Sequence, residues 1–276
     1  MSGITNSIVV VNYNAKPALL ALLKSLALEE ATSTEVIVVD SASHDGSADA
    51  VREMAVAHPF LKLLQLKANH GFFYAANKGI DQALSDVVVV CHGDVITDVH
   101  TLAELGDQAR ETESRKAVAV VARLMGVDGT EQPFVGTMPK LGSAVAGELN
   151  PRLALTCQVP VLDHLQEHEW ARFVCAAFNR NYLATVGMFD PKFFMYFGDA
   201  DLCARIHARQ LRVLISKTVK VTHAGAASGK EVPDHLLRIL RKDQAHYAEK
   251  HLPGWQKGVM RAAGTVRGWL VGKSER

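Results

Sequence analysis

The sequence has no strong charge of either sign and no apolar run long enough to cross a membrane. Thirty lysines and arginines stand against 29 acids, for a formal net charge of +1, so electrostatics make no case for nucleic acid as the main partner. The unbroken apolar runs, such as residues 87–91, are far too short to span a bilayer. The first residues lack the charged and then apolar pattern of a signal segment, which predicts a cytoplasmic protein.

Closely spaced cysteines are also missing. The four cysteines stand singly, with no CxxC pair, which argues against a thiolate metal site or a disulfide framework. The pattern instead predicts reduced thiols that act as small buried apolar residues. These four positions are Cys91, Cys157, Cys175 and Cys203.

Apolar β-branched runs alternate with stretches of helical periodicity along the first third of the chain. This alternation predicts an α/β fold, a doubly wound, mostly parallel sheet of Rossmann-like kind. The predicted strands are 7–11, 35–40, 61–66, 87–91, 118–124, 173–178 and 213–221, and the predicted helices are 18–28, 48–57, 75–84 and 201–209. Residues 126–150 read as a glycine-spotted loop region.

Polar residues follow several of these strands directly, as in residues 12–14, 40–47 and 92–94. Ligands of doubly wound sheets bind at the carboxyl ends of the strands, so we expect the functional site there. No GxGxxG follows the first strand, so the usual dinucleotide fingerprint is absent. Residues 45–47 read as a turn that leads into a helix.

Five blocks in order resemble the large family of inverting glycosyltransferases that includes bacterial rhamnosyltransferases. They are residues 7–14 (SIVVVNYN), 38–47 (VVDSASHDGS), 69–80 (NHGFFYAANKGI), 188–205 (MFDPKFFMYFGDADLCAR) and 219–228 (VKVTHAGAAS). The resemblance implies a GT-A fold, with a catalytic domain at 1–230 and a helical extension at 231–276. Within that domain, residues up to about 100 would bind the nucleotide sugar and residues 101–230 the acceptor.

The resemblance also implies which residues hold the nucleotide-diphosphate sugar. Asp40 would accept hydrogen bonds from the base or ribose, although a turn or helix cap is the alternative reading. Backbone groups near Val11 and Tyr13 would line the same pocket. A second nucleotide-facing group would comprise Asn69, Gly71 and Asn77, with His92 and Gly93 near the diphosphate.

A divalent cation, Mg²⁺ or Mn²⁺, is the cofactor that the resemblance implies. Asp94 matches the last position of the family's DxD-like element, and His223 matches a position that supplies a metal-facing imidazole. His92 stands where an Asp or Asn is usual. An imidazole there would either bind Mn²⁺ or hydrogen-bond a phosphate, and weak metal dependence is the third reading.

Asp199 matches the family's general base. The family has a second acid just before this position, and this chain has Gly198 instead. A lone carboxylate needs burial or a nearby negative charge to raise its pKa into the working range. The alternative is that Asp199 only caps a helix that begins near Asp201. Bulky Phe73 and Tyr74 also replace the small residues usual in the 69–80 block.

The carboxyl-terminal tail, residues 255–276, is basic and has Trp255, Val259, Val266 and Leu270 on one helical face. It would either pack on its own domain or lie on a membrane surface near a lipid-linked acceptor. Peripheral contact with the inner face of the membrane is therefore one open reading.

Three functions compete. The first is transfer of a sugar from a dTDP-rhamnose or UDP-hexose type donor to an acceptor hydroxyl on a glycan or lipid-linked molecule, in bacterial surface polysaccharide or glycoconjugate synthesis. The second is a catalytically impaired sugar-nucleotide-binding or partner subunit of the same fold, favoured by His92 and Gly198. The third, a sugar nucleotidyltransferase, lacks the phosphate loop it would need after the first strand.

Overall fold

The structure is a computed structural model that describes residues 4–26, 33–139, 166–224, 233–259 and 262–263. Three predicted features lie wholly or partly outside the described residues. They are Cys157, the second half of the loop region predicted at 126–150, and most of the tail from Trp255 onward. The predictions made for those positions therefore stay predictions.

A nine-stranded sheet forms the centre of the molecule. Its strands are β1 Asn6–Asn12, β2 Thr34–Asp40, β3 Leu61–Gln65, β4 Val87–His92, β5 Val95–Ile96, β6 Ala117–Met125, β8 Gln166–Glu167, β10 Cys175–Asn179 and β11 Arg212–His223. Eight of them follow one another in the order β3-β2-β1-β4-β10-β6-β11-β5, and β8 pairs with β11 beside this path. A separate pair joins β7, Val135–Gly136, to β9, Trp170–Ala171.

The first four strands are parallel, and β11 is parallel to β6. Antiparallel β10 separates these two groups, between β4 and β6. All seven residues of β2 are buried, and so are five of the six in β4, as expected of strands covered on both faces. The predicted α/β fold with a doubly wound, mostly parallel sheet is confirmed.

α-Helices connect and cover these strands, and a further helical segment follows at residues 254–259. The α-helices are α1 Lys16–Ser25, α2 Ser47–Ala57, α3 Phe72–Gln82, α4 Val99–Glu111, α5 Arg180–Thr185, α6 Gly198–His207 and α7 Asp234–His251. No helix among the described residues is long and apolar enough to cross a membrane.

Several helices differ from the sequence reading, which did not include α5 and which began α3 three residues too late. α6 begins at Gly198, three residues before the predicted start, because Phe197 turns the chain with a φ of 61° and serves as its N-cap. The sequence reading missed α4 altogether. Its N-cap is Asp98, whose carboxylate accepts a hydrogen bond from the backbone N–H of Thr101 at 2.8 Å. Asp199 consequently lies in the first turn of α6 and does not cap a helix that begins near Asp201.

Candidate active site

The carboxyl ends of β1 and β2 meet in a network of buried polar side chains. Asp40 is fully buried, and its carboxylate accepts hydrogen bonds from Asn12 Nδ2 at 3.0 Å and from the backbone N–H of Ser43 at 2.9 Å. The Nδ2 group of Asn12 also reaches Ser43 Oγ at 3.3 Å. Asp40 therefore fixes the loops after both strands, and its predicted contact with a nucleotide stays a prediction.

Val11, Tyr13 and Gly93 lie at the same edge of the sheet. The backbone N–H of Gly93 donates to the carbonyl oxygen of Val11 at 3.1 Å, which ties the end of β4 to the end of β1. A Cβ atom at Gly93 would lie 3.2 Å from that oxygen, so glycine permits the close approach. Tyr13 is 49% exposed and is free of the packed core.

Asn69 and Gly71 form the turn that begins α3. Asn69 Oδ1 accepts from the Gly71 N–H at 2.9 Å. Gly71 has a φ of 94°, and a Cβ there would lie within 2.8 Å of three backbone atoms of Phe194. The next residue, Phe72, donates its N–H to the Phe194 carbonyl at 2.7 Å. Gly71 is thus required because the start of α3 presses on the loop before α6.

Asn77 lies on α3, as expected from the sequence, and its side chain binds the loop that precedes α6. Its Nδ2 donates to the Phe189 carbonyl at 2.8 Å, and its Oδ1 accepts from the Phe189 N–H at 3.2 Å. Both functional groups of the amide are therefore used to bind α3 to the loop that precedes α6. The predicted contact of Asn77 with a nucleotide is not shown by this arrangement.

One group of side chains among the described residues could hold a metal ion. It consists of His92, Asp94 and His223, each with one ligand atom within 4.8 Å of the others. His92 ends β4, Asp94 follows it by two residues, and His223 ends β11. The chain brings them together because β5, next to Asp94, pairs with the end of β11 at His223 and Val95.

The cluster has the chemistry of a cation site. Asp94 Oδ2 lies 3.5 Å from His223 Nε2, whereas its buried Oδ1 has no hydrogen-bond partner, and a buried carboxylate oxygen without a partner is costly. Gln132 orients the His223 ring, with Oε1 at 3.0 Å from Nδ1 and Nε2 at 2.9 Å from the backbone carbonyl. A carboxylate suits Mn²⁺ and imidazoles bind first-row divalent metals, so the residues present fit a divalent cation.

The ionisation of these groups supports the same reading. Burial lowers the pKa of His92 to about 4, so the imidazole is neutral near pH 7 and its lone pair is available. Burial alone would raise the pKa of Asp94, but the hydrogen bond with His223 and the two nearby imidazoles outweigh burial and lower it. The cluster therefore presents a neutral His92 imidazole beside an ionised Asp94 carboxylate.

Asp199 lies in the first turn of α6, where its Oδ1 accepts from the Ala200 N–H at 2.8 Å. Burial raises the pKa of this carboxyl, although the Ala200 N–H, the Arg172 guanidinium and the Trp170 indole act in the opposite direction. The guanidinium of Arg172 lies 6.0 Å from the Trp170 ring centre. The surroundings of Asp199 therefore shift its pKa in the direction that a lone carboxylate needs to act as a base.

Phe73 and Gly198, which both depart from the family pattern, lie against each other in the structure. A Cβ atom at position 198 would lie within 2.6 Å of three carbon atoms of the Phe73 ring. Phe73 is buried and packs against Phe72 and Phe189, with ring centres 5.3 and 5.4 Å apart. The ring thus fills the space that a side chain at position 198 would need.

The first turn of α3 also connects the cation cluster to the loop of the candidate base. The ring centres of Phe72 and His92 lie 4.4 Å apart, while Phe73 touches Gly198. Sequence reasoning missed Gln132, Trp170 and Arg172, because their importance comes from the elements packed around them. A single sequence carries no local signal for such tertiary neighbours.

The mostly parallel sheet, with polar side chains at its strand ends, has the arrangement of the GT-A fold. Residues 7–152 match the sequence profile named glycosyl transferase family 2, and the chain belongs to that family. The predicted family and enzyme class are thereby confirmed.

Two curated relatives illustrate the likeness. The chain is 28% identical to N-acetylglucosaminyl-diphospho-decaprenol L-rhamnosyltransferase of Mycobacterium tuberculosis, over 97% of this chain and 91% of the relative. It is 30% identical to the uncharacterized glycosyltransferase YwdF of Bacillus subtilis, over 46% of each chain.

Solved structures share the fold. GalNAc-T7, determined with UDP, GalNAc and Mn²⁺, matches with a TM-score of 0.62 and 15% identity, over 94% of this chain and 54% of the other. The mannosyltransferase PcManGT of Pyrobaculum calidifontis, in complex with GDP-Man and Mn²⁺, matches with a TM-score of 0.54 and 19% identity, over 98% of this chain and 79% of the other.

Proposed function

We propose that this glycosyltransferase moves a sugar, with inversion, from a nucleotide-diphosphate donor to an acceptor hydroxyl. The observation that carries the proposal is the cluster of His92, Asp94 and His223 at the strand ends, with the unpartnered Asp94 Oδ1. A cation site at the carboxyl edge of the sheet is where the diphosphate of such a donor would lie.

We assign cation binding, nucleoside binding and proton transfer to three separate groups of residues. His92, Asp94 and His223 would hold Mg²⁺ or Mn²⁺, which supplies Lewis-acid stabilisation of the leaving diphosphate when bound. The ends of β1 and β2, including Val11, Tyr13 and Asp40, would receive the nucleoside.

Asp199 is the proposed general base. Its carboxylate takes the proton of the acceptor hydroxyl while that oxygen forms a bond to the anomeric carbon. The bond from this carbon to the diphosphate oxygen breaks on the opposite face, and the electron pair leaves with the diphosphate. The raised pKa of Asp199 supports the assignment, since a base is most effective when its pKa lies near the working pH.

The donor and acceptor follow the relatives. The similarity to an L-rhamnosyltransferase named for a polyprenyl-diphosphate-linked acceptor supports a dTDP-rhamnose donor and a lipid-linked acceptor, with a UDP-hexose donor as the other candidate. We place the reaction in surface polysaccharide or glycoconjugate synthesis, at the cytoplasmic face of the membrane. The basic tail from Trp255 onward would make the peripheral contact.

A thermal-shift panel tests the proposal. The protein is heated with UDP-, dTDP- and GDP-sugars, each with and without Mn²⁺. A donor at 100 times its Kd stabilises the native state by about 2.7 kcal/mol, which raises Tm by roughly 5–10 °C in a domain of this size. We expect one nucleotide to give a shift that requires Mn²⁺ and that Asp94→Asn abolishes.

The exposed Asp128 provides a matched control, since Asp128→Asn removes a carboxylate from a surface turn. Its shift should equal that of the wild type. No shift with any donor would contradict the transferase proposal and favour a catalytically impaired partner subunit. A shift that is indifferent to Mn²⁺ would contradict the metal assignment alone.

A further inference from the structure

A carboxylate of the carboxyl-terminal helix binds the backbone of the loop that precedes the candidate base. Asp243, in α7, is fully buried. Its two oxygens accept hydrogen bonds from three successive backbone N–H groups, those of Phe194 at 3.0 and 3.1 Å, Met195 at 2.9 Å and Tyr196 at 2.9 Å. Successive N–H groups directed at one anion fix the backbone that carries them.

The loop so fixed leads directly into the first turn of α6. After Tyr196, Phe197 adopts a φ of 61°, a left-handed conformation that is strained for a bulky residue. Such strain persists only where the surroundings determine the backbone. Two residues later the chain reaches Asp199, so the direction of its carboxylate depends on how residues 194–197 are held.

Other side chains of α7 contact Asp190 and Asp201, which lie before and after residues 194–197. Asp190 lies 3.2 Å from His246 Nε2 and 2.8 Å from Lys250 Nζ. Asp201 is fully buried, and its Oδ1 lies 2.7 Å from both Lys250 Nζ and His251 Nε2. These contacts join side chains on either side of residues 194–197, whereas Asp243 bonds to the backbone between them.

We propose that Asp243 is a positioning residue for the transfer reaction. It sets the backbone of residues 194–197 so that Asp199 faces the acceptor hydroxyl. The inference rests on the proposed role of Asp199 as the general base. Because a misplacement of about 1 Å at a reacting group costs on the order of 100-fold in rate, loss of this anchor should slow the chemical step and leave donor binding unchanged.

The test compares Asp243→Asn with the wild type and with Glu249→Gln, a change at an exposed acid on the same helix. An amide retains one acceptor oxygen and turns its NH₂ group toward N–H donors. We expect kcat to fall about 10- to 100-fold, with the donor Kd from calorimetry within about twofold of the wild type. Glu249→Gln should keep both values.

A double variant separates positioning from general structural damage. If Asp243 acts through Asp199, then Asp199→Asn/Asp243→Asn should be no slower than Asp199→Asn alone, whereas independent effects would multiply. Multiplying losses, or a tenfold weaker donor Kd in Asp243→Asn, would overturn the proposal. If Asp243→Asn does not fold, Asp243→Glu keeps the charge and moves the carboxylate by one methylene, and a wild-type kcat in that variant would overturn it equally.

The same measurements distinguish the two hypotheses. An unchanged rate in Asp199→Asn would contradict the base assignment itself. A large loss in Asp199→Asn, together with a wild-type rate in folded Asp243→Asn, would contradict the role of Asp243 alone.

Discussion

Gly198→Ala tests whether Phe73 occupies the space of a side chain at position 198. The new Cβ would lie within 2.6 Å of three ring carbons, about 1 Å inside the usual 3.5 Å contact distance. The ring cannot move freely because Phe73 is 3% exposed. Overpacking costs about 1–3 kcal/mol, and the gain from replacing glycine in a helix offsets about 0.5–1 kcal/mol of this. We expect a net loss of about 1–2 kcal/mol in the free energy of unfolding.

The decisive comparison is a double-mutant cycle with Phe73→Ala, which removes all three ring carbons that the new methyl group would meet. In that background the methyl group has room, so Gly198→Ala should be neutral or stabilising, and the coupling free energy should exceed about 1 kcal/mol. Urea unfolding followed by tryptophan fluorescence gives the four values, with buried Trp170 as a reporter. An equal loss in both backgrounds, or none in the wild type, would refute the steric account.

Two further changes address the site directly. Asp199→Asn should lower kcat by at least about 100-fold without reducing the free energy of unfolding, because a carboxyl whose folded pKa is raised destabilises the native state when it is ionised above that pKa. For the same reason wild-type kcat/KM should fall as pH falls through the raised pKa, and an unchanged pH profile in the variant would argue against the role. Asn77→Ala should cost about 1–3 kcal/mol of stability by leaving the Phe189 N–H and carbonyl without their partner, whereas a tenfold loss of nucleotide affinity would show that Asn77 contacts the donor after all.

The sheet was largely predictable because its central strands are continuous β-branched runs. β2 and β4 each agree with the predicted bounds to within one residue. The sequence reading missed α4, although its pattern carries a helical signal. Val99, Leu102, Leu105 and Ala109 recur at helical spacing and are buried. The start of α6 was not predictable, because the left-handed turn at Phe197 depends on contacts from distant elements.

The candidate site divides in the same way. His92 and Asp94 are near neighbours in the chain, and His223 joins them through the pairing of β5 with β11, so motif reading could find all three. Asp243 lies in a polar helix, 47 to 49 residues beyond the N–H groups that it binds. Nothing local to that helix distinguishes this carboxylate from its exposed neighbours, and only the tertiary structure reveals its role.

Gly198 shows how far one position can mislead when it is read alone. From the sequence alone, the missing acid beside the candidate base suggests that catalysis is lost. The reason is that a neighbouring negative charge is one way to raise a carboxyl pKa. The structure supplies the other way. Asp199 is half-buried, and desolvation is the largest influence that raises its pKa, with the Phe73 ring in the space of the missing side chain. Replacement of an acidic neighbour by the apolar Phe73 ring would still raise the pKa of Asp199. Phe73 and Gly198 are therefore better understood as one compensated change than as two unrelated departures from the family pattern.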